Sequence, residues 1–338
     1  MRNTTGCLLL CCILFWGFIT AHAQPVGTAG QKPVPVIFDT DFGPDYDDVG
    51  AITLLHAFAD SGYANILATV ASCRHSNVAA ALSVFNTYFN RPGIPVGVVR
   101  GKAVAQADWQ HWTDTVIARY PHAIRSNEEA ADALVVYRKV LAAQPDASVT
   151  IITVGFFTNL ANLLQSPPDK YSPLNGRALV LKKVKQLVSM AGRFPEGREF
   201  NVDQDSSSSA YVFTHWPTPV LFSGFEIGRQ IKTGLPLIQN EAIQHSPVKD
   251  AFGIAIPMSK EDADGRMSWD ETAVLVAIKG WEPYYTLHKG RIVGLADGSN
   301  KWNDHAKGHA YLVEKTPPDK MARLINQWMM HQPFKQMK

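Results

Sequence analysis

Short apolar runs alternate with amphipathic, helix-patterned stretches along most of the chain. Patterns typical of buried strands occupy residues 35–38, 65–70, 94–99, 147–154, 184–190 and 220–223. Patterns typical of helices occupy residues 49–58, 77–89, 130–143 and 159–164. This alternation favours a Rossmann-like α/β fold, in which helices cover both faces of a mostly parallel sheet. Residues 290–314 predict a small hairpin before a last helix, and residues 35–338 are expected to form a single domain.

The N-terminal residues follow a different pattern. Arg2 precedes an apolar run at residues 8–19, and Ala-His-Ala follows at residues 21–23. This is the order of a secretory signal peptide with its cleavage site, and the run is too short to span a membrane. We therefore expect residues 1–23 to be removed on export to the periplasm or the medium. Residues 24–34 would then form a flexible leader.

Composition narrows the class of protein. The chain has 338 residues, of which 46% are hydrophobic and 18% charged, as in ordinary globular proteins with a substantial core. Signal cleavage would leave Cys73 as the one cysteine, so no intrachain disulfide is expected. The 32 basic and 30 acidic residues include no basic cluster, which argues against nucleic acid and anionic membranes as partners. The oligomeric state stays open, a homo-oligomer included.

Five carboxylates follow the first predicted strand closely: Asp39, Asp41, Asp45, Asp47 and Asp48. Crowded carboxylates repel one another unless a cation or a proton lies among them. In open α/β sheets the carboxyl ends of the strands are also where ligands bind. An oxygen-only ligand set suits Ca²⁺ or Mg²⁺ better than zinc. The alternative is a helix N-cap at Asp45 with Asp48 in the first turn, which explains only two of the five.

Three later segments add oxygen ligands after predicted strands. In residues 153–159 the Val154 carbonyl is a candidate metal ligand, although ordinary strand-turn-helix connections look alike. Residues 190–205 combine glycine, acids, Asn and Phe, a mixture that suits either recognition of hydroxyl groups or a solvated loop. In residues 268–274, Asp270 is either a metal ligand or a helix cap.

These segments together resemble four ordered landmarks of the inosine-uridine preferring nucleoside hydrolase family, over nearly the whole exported chain. The Asp-rich signature carries one inserted residue here. Aligned from its right-hand end, Asp47 and Asp48 match the family's terminal acidic pair, and Asp41 matches the earlier metal ligand. Asp45 is then assigned to the substrate side of the site. A secreted bacterial-type member of the family is the expectation.

The other landmarks carry over residue by residue. Val154 matches the residue that gives its carbonyl to calcium. Glu199, Phe200 and Asn201 match the Glu-Phe-Asn motif that binds ribose hydroxyls. Asp270 matches the acid that completes the metal sphere.

The resemblance implies a metal-dependent hydrolase that cleaves ribonucleosides to free base and ribose. Ca²⁺ would be held by Asp41, Asp48, Asp270 and the Val154 carbonyl. Asp47, not needed as a ligand, would be the general base that takes a proton from the attacking water. The N-glycosidic bond would break through an oxocarbenium-like state that the carboxylates stabilise.

Two departures from the family pattern concern the leaving base. Trp269 stands where the family has a histidine, which in other members is a candidate proton donor to the base. An indole N–H is no general acid, so Trp269 is expected to stack on the base or line the pocket. The family's Asn after the second strand falls near Ser72 or Cys73, and neither carries an amide.

Other functions compete with this interpretation. A haloacid-dehalogenase-type phosphatase would use Asp39 as nucleophile with Mg²⁺, but its lysine and late acidic pair are missing. A non-catalytic or altered-specificity protein that binds nucleosides or glycans is a second alternative, supported by Trp269. The spacing of His305 and His309 would fit zinc only on a helix, and Gly308 lies between them. Cys73 has no recognisable partner for nucleophilic work.

Overall fold

The strand and helix alternation is present in the structure, a computed structural model that describes residue 1 and residues 32–334. The strands are β1 (Val34–Thr40), β2 (Ala64–Ala71), β3 (Val96–Val98), β4 (Ala131–Asp132), β5 (Val149–Thr153), β6 (Val184–Met190), β7 (Glu196–Gly197), β8 (Val220–Ser223), β9 (Lys232–Thr233), β10 (Arg266–Met267), β11 (Tyr285–Gly294), β12 (Asn300–Asn303) and β13 (His309–Glu314). The helices are α1 (Asp47–Asp60), α2 (Val78–Tyr88), α3 (Trp112–Arg119), α4 (Ala133–Ala143), α5 (Thr158–Gln165), α6 (Gly176–Lys183), α7 (Phe200–Gln204), α8 (Ser206–His215), α9 (Phe225–Gly228), α10 (Leu235–Gln239), α11 (Pro247–Met258), α12 (Trp269–Lys279) and α13 (Pro318–Met329).

One large sheet carries the fold. Its strand order is β4-β3-β2-β1-β5-β6-β8-β13-β11-β12-β7. The strands from β4 to β13 in that order are parallel, and β11, β12 and β7 extend the sheet in antiparallel fashion. A separate ribbon pairs β9 with β10. The predicted α/β class is confirmed, and the predicted hairpin corresponds to the antiparallel end of the sheet.

Both faces of the sheet are buried, which explains why β1 reads as a continuous apolar run. Val36 and Phe38 join a core shared with α1, α2, α11, α12 and α13. Ile37, whose side chain points the other way, joins a second core with α4, α5, α6 and α8. Because successive side chains of a strand alternate between faces, one apolar strand stabilises both layers of helices.

The strand order reverses at β1. The chain continues from β1 to β2 on one side of the sheet, whereas β5 pairs with β1 on the other side. Such a switch point leaves a crevice outside the carboxyl ends of the two strands, where open α/β sheets bind ligands. The acidic loop after β1 and the Val154 segment after β5 both meet there.

Several boundaries differ from the prediction. The third strand covers only Val96–Val98, and the helix expected at 130–143 begins later, at Ala133, after the short strand β4. The signal peptide at 1–23 lies outside the described residues except for residue 1, as does the leader up to residue 31. The end of that leader joins the sheet, because β1 starts at Val34. No described helix is long and apolar enough to cross a membrane.

Candidate active site

A pocket lies at the switch point, and five segments that are distant in sequence form it. Its walls are Asp41, Asp45, Asp47, Val154, Met190, Glu199, Phe200, Asn201, Phe225, Trp269 and Asp270. All of the site residues predicted from the sequence line this pocket except Asp48, which lies fully buried behind the wall. Met190 and Phe225 were not predicted, because they are ordinary apolar residues, one at the end of β6 and the other at the start of the short helix α9.

Two helix N-termini bring the acids together. α1 starts at Asp47, and α12 starts at Trp269, so Asp48 and Asp270 both lie in a first turn. Acids are stabilised there by the helix dipole. The two helices pack closely, since a Cβ at Gly50 would lie 2.0 Å from Glu271 Oε1. A side chain at position 50 would therefore have to displace the Glu271 carboxylate.

The helix-cap interpretation of Asp45 is wrong. The N-cap of α1 is Tyr46, and no side chain caps that helix end. Asp45 instead accepts a hydrogen bond from the Tyr46 backbone N–H at 3.0 Å. Asp270 is not an N-cap either, because Ser268 takes that position of α12.

A cluster of carboxylates has the geometry of a cation site. One oxygen from each of Asp47, Asp48 and Asp270 lies within 4.8 Å of the others. Thr40 donates a hydrogen bond to Asp48 Oδ1, while Asp48 Oδ2 has no partner among the described residues. Burial raises the pKa of Asp48 to about 7 and, with the charge of Asp48, raises those of Asp41 and Asp270. A hard cation would relieve this repulsion, so the residues fit one.

The Val154 carbonyl reaches the same place. A Cβ at Gly155 would lie 2.4 Å from the Asp41 backbone nitrogen, so the glycine lets the β5 loop touch the β1 loop. Asn201 Nδ2 donates to the Val154 carbonyl at 2.8 Å and to the Met190 carbonyl at 3.3 Å. A carbonyl oxygen has two lone pairs, so Val154 keeps one for a cation.

Glu199 holds the third segment in place. Its carboxylate accepts backbone hydrogen bonds from Gly192 at 3.0 Å, Asn201 at 2.8 Å and Val202 at 3.2 Å, and so caps α7. Glu199 and Asn201 are both buried, so the solvated-loop alternative is wrong. Phe200 lies between them in sequence but is 45% exposed at the pocket mouth.

Arg266 is a component of the site that the sequence did not reveal. Its Nη2 lies 2.7 Å from Asp47 Oδ1 and also contacts Asp45, and its side chain is only 12% exposed. Burial lowers the pKa of Arg266 to about 10, so the guanidinium stays protonated at neutral pH. The other oxygen of Asp47 accepts the backbone N–H groups of Trp269 and Asp270 at 3.2 and 3.3 Å. The signal available in the sequence was a single arginine placed shortly before the acidic start of α12.

Trp269 lines the pocket but its ring is already packed. The ring stacks on Phe225 at 5.4 Å between centroids, and the Arg266 guanidinium lies 5.2 Å from it. Its indole N–H donates to the Phe225 carbonyl at 2.8 Å. These contacts support the pocket-wall role over stacking on a base.

A second cavity adjoins the pocket and shares Asp45 and Phe200 with it. Trp109 is 56% exposed there, and Gln106 and Gln110 contribute amides. Gln110 Nε2 donates to a backbone carbonyl of α11, which leaves its oxygen available. Two exposed aromatic rings beside amides form a surface suited to a flat, polar heterocycle.

Residues proposed for rival functions are placed elsewhere. Asp39 is fully buried, accepts hydrogen bonds from Tyr137 at 2.7 Å and Asn159 at 3.1 Å, and does not line the pocket. A nucleophile must reach its substrate, so the phosphatase alternative loses its central residue. Cys73 is buried, and burial raises the pKa of its thiol. His309 lies in strand β13 and is buried, whereas His305 lies in the exposed turn before that strand, so the two histidines do not share a helix.

Fold and site together define an α/β protein of the nucleoside hydrolase type. Residues 36–321 match the inosine-uridine preferring nucleoside hydrolase family, and the chain belongs to that family. A search of curated protein sequences finds no match to the chain.

Solved structures share the fold at low sequence identity. A plant nucleoside hydrolase, PpNRh1, is 18% identical with a TM-score of 0.67, over 88% of this chain and 99% of its own. An inosine-uridine preferring nucleoside hydrolase from Bacillus anthracis is 16% identical with a TM-score of 0.66, over 88% and 99%. The effector protein XOO4466 is 14% identical with a TM-score of 0.69, over 89% and 94%. Proteins described as enzymes and as an effector therefore share this fold.

Proposed function

We propose that this protein is a Ca²⁺-dependent N-ribohydrolase that cleaves ribonucleosides to free base and ribose. The observation that carries the proposal is the acid-lined pocket at the switch point. There a buried acidic cluster lies next to the Val154 carbonyl and to the Glu199 and Asn201 segment. Family membership supports a nucleoside as the substrate.

The cation would be held by Asp41, Asp48, Asp270 and the Val154 carbonyl. Ca²⁺ accepts mixed carboxylate and carbonyl oxygens in flexible geometry, whereas Mg²⁺ demands a near-octahedral site and keeps several waters. When bound, it would orient the sugar and lower the pKa of the attacking water.

The contacts of the carboxylates indicate which of them takes the proton from the attacking water. A general base needs a lone pair that is free to accept the proton. Arg266 and the first amides of α12 engage both oxygens of Asp47. Asp41 lines the pocket and forms no ion pair within the described part of the chain. These contacts favour Asp41, which would bind the cation through one oxygen and keep a lone pair of the other for the proton. The sequence-based choice of Asp47 stays a prediction with a rival.

The sugar and the base would occupy adjoining spaces. The amide nitrogen of Asn201 donates to the Val154 carbonyl, so the amide oxygen stays available for a ribose hydroxyl. Glu199 keeps one lone pair on Oε1 for the same purpose. The base would lie in the second cavity, between the exposed rings of Phe200 and Trp109. Asp45 lies at the boundary of the two spaces and would contact the substrate.

A second candidate is a binding protein that does not turn nucleosides over. Trp269 replaces the family histidine, and its N–H is committed to the Phe225 carbonyl. A poor leaving group such as a purine normally needs a proton donor, and the indole supplies none.

The test is base release from a panel of purine and pyrimidine ribonucleosides by the purified chain, with Asp48→Asn as the inactive comparison. The proposal expects base release by the parent alone and no phosphate release from phosphate esters. Saturable nucleoside binding without base release would establish the binding function instead.

We also propose that the protein is exported with residues 1–23 removed. The N-terminal pattern supports this, and the intact mass of secreted protein should correspond to a chain starting at Gln24. An unprocessed mass would contradict it.

A further inference from the structure

Arg266 is a largely buried cation that lies beside the proposed Ca²⁺ site. It lies in β10, at the start of the segment that leads into α12. The guanidinium packs over the Tyr46 ring at 4.7 Å and near the Trp269 ring at 5.2 Å. A buried guanidinium between two aromatic faces has little freedom to move, so its carboxylate contacts are fixed in direction.

The contacts of Arg266 select one oxygen of Asp47. Nη2 and Nε lie 2.7 and 3.2 Å from Asp47 Oδ1. The same guanidinium contacts Asp45, and Nη1 lies 3.9 Å from Asp262 Oδ2. Asp47 nevertheless lies close enough to Asp48 and Asp270 to share a metal ion with them.

We propose that Arg266 is a positioning residue that keeps Asp47 out of the cation site. This inference rests on the proposed function, since it requires the cation at Asp41, Asp48 and Asp270. Four carboxylates around one divalent ion would fill positions that the sugar hydroxyls and the attacking water need. Arg266 neutralises Asp47 instead, and Asp47 is left to bind the first amides of α12.

Loss of the Arg266 side chain should strengthen Ca²⁺ binding. Arg266→Met removes one positive charge and releases Asp47, so Ca²⁺ should bind about tenfold more tightly or better. A side chain that only supports the fold would weaken Ca²⁺ binding when removed. Turnover of nucleosides should fall in the same variant.

The decisive measurement is the number of water molecules on Tb³⁺ bound at the site in place of Ca²⁺, obtained from luminescence lifetimes in H₂O and D₂O. Arg266→Met should lose about one water relative to the parent, because a carboxylate oxygen replaces it. Arg266→Met with Asp47→Asn should regain that water. Arg229→Met is the matched control, because Arg229 packs on Phe225 at 5.6 Å and is exposed.

Calorimetric Ca²⁺ titration accompanies the lifetimes. Arg266→Lys keeps the charge but loses the planar two-point contact, so its water count should fall between parent and Arg266→Met. It provides the comparison if Arg266→Met does not fold. An unchanged water count in both variants, with a parent that binds Tb³⁺, overturns the role of Arg266. A parent that binds neither Tb³⁺ nor Ca²⁺ overturns the cation part of the proposed function, and this inference with it.

Discussion

At the residue scale, the partners of a carboxylate say more about its role than its place in a motif. Asp41 and Asp47 both line the pocket, yet only Asp47 is paired with an arginine and with helix amides. Burial and the charges of Asp270 and Glu271 raise the pKa of Asp47, but Arg266 and the two helix amides engage both of its oxygens and direct them away from an attacking water. The choice of base therefore depends on contacts between segments more than two hundred positions apart.

Asp41→Asn and Asp47→Asn distinguish the two assignments. We expect Asp41→Asn to lower kcat by about 10²–10⁴-fold, the usual loss for a positioned base. Asp47→Asn should lower kcat less. Both are measured at Ca²⁺ concentrations that calorimetry shows to be saturating, so that metal loss does not mimic loss of the base. A larger kcat loss in Asp47→Asn would restore the sequence-based assignment.

The aromatic residues of the two cavities make a second residue-scale prediction. Trp109→Ala should raise KM for purine nucleosides more than for pyrimidine nucleosides, because stacking on a base contributes about 1–3 kcal/mol and a larger ring has more face to lose. Trp269→Ala, the matched comparison, should show no such purine preference. A purine-selective effect of Trp269→Ala would show that the base stacks where the sequence first placed it.

At the element scale, local patterns predicted the strands and helices well but not the contacts between them. The apolar runs that became β1, β5 and β6 were recognisable because both faces of the sheet are buried. The two-residue strands β4 and β10 were not, because they carry no periodicity. The acidic motif predicted where the buried carboxylates gather. The pairing of Arg266 with Asp47 could not be predicted, since it depends on how α12 packs against α1.

The contact between α1 and α2 predicts an acid-sensitive step in stability. His56 in α1 is fully buried, bonds Asn86 at 3.1 Å and stacks on Phe89. Burial lowers its pKa to about 3 from an ordinary value of 6.5. The unfolded chain therefore takes up a proton below about pH 6.5 that the folded chain refuses. The contribution of His56 to the free energy of unfolding is therefore fully present above pH 6.5. It falls as the pH drops towards 3, by up to about 1.4 kcal/mol per pH unit.

Urea unfolding of His56→Gln between pH 7 and pH 4 measures this contribution. The variant should be less stable at pH 7 but should lose less unfolding free energy as the pH falls. His305→Gln, at an exposed histidine, serves as the control and should keep the pH dependence of the parent. An equal pH slope in His56→Gln and the parent would assign the acid sensitivity to other groups.

At the scale of the whole molecule, the proposed cation site joins the two halves of the sheet. Its proposed ligands come from the β1 loop, α1, the β5 loop and α12, which lie on both sides of the switch point. A ligand that binds only the folded state stabilises it by mass action, about 2.7 kcal/mol at a hundredfold excess over Kd. Chelation should therefore destabilise the entire domain and not one loop.

Thermal unfolding with Ca²⁺ and with a chelator tests this. The parent should lose a few degrees of Tm on chelation, as expected for a chain of this size. Asp48→Asn should have one Tm under both conditions, because it lacks a central ligand. An Asp48→Asn protein that still gains Tm from Ca²⁺ would move the cation to another site.

A Ca²⁺ titration of metal-stripped protein, with base release from a ribonucleoside and bound Ca²⁺ followed together, tests the proposed function most directly. We expect no base release without metal, and a rate that rises with occupancy until one Ca²⁺ is bound per chain. Full turnover in the stripped protein, or a Ca²⁺-saturated protein that releases no base from any ribonucleoside, would contradict it.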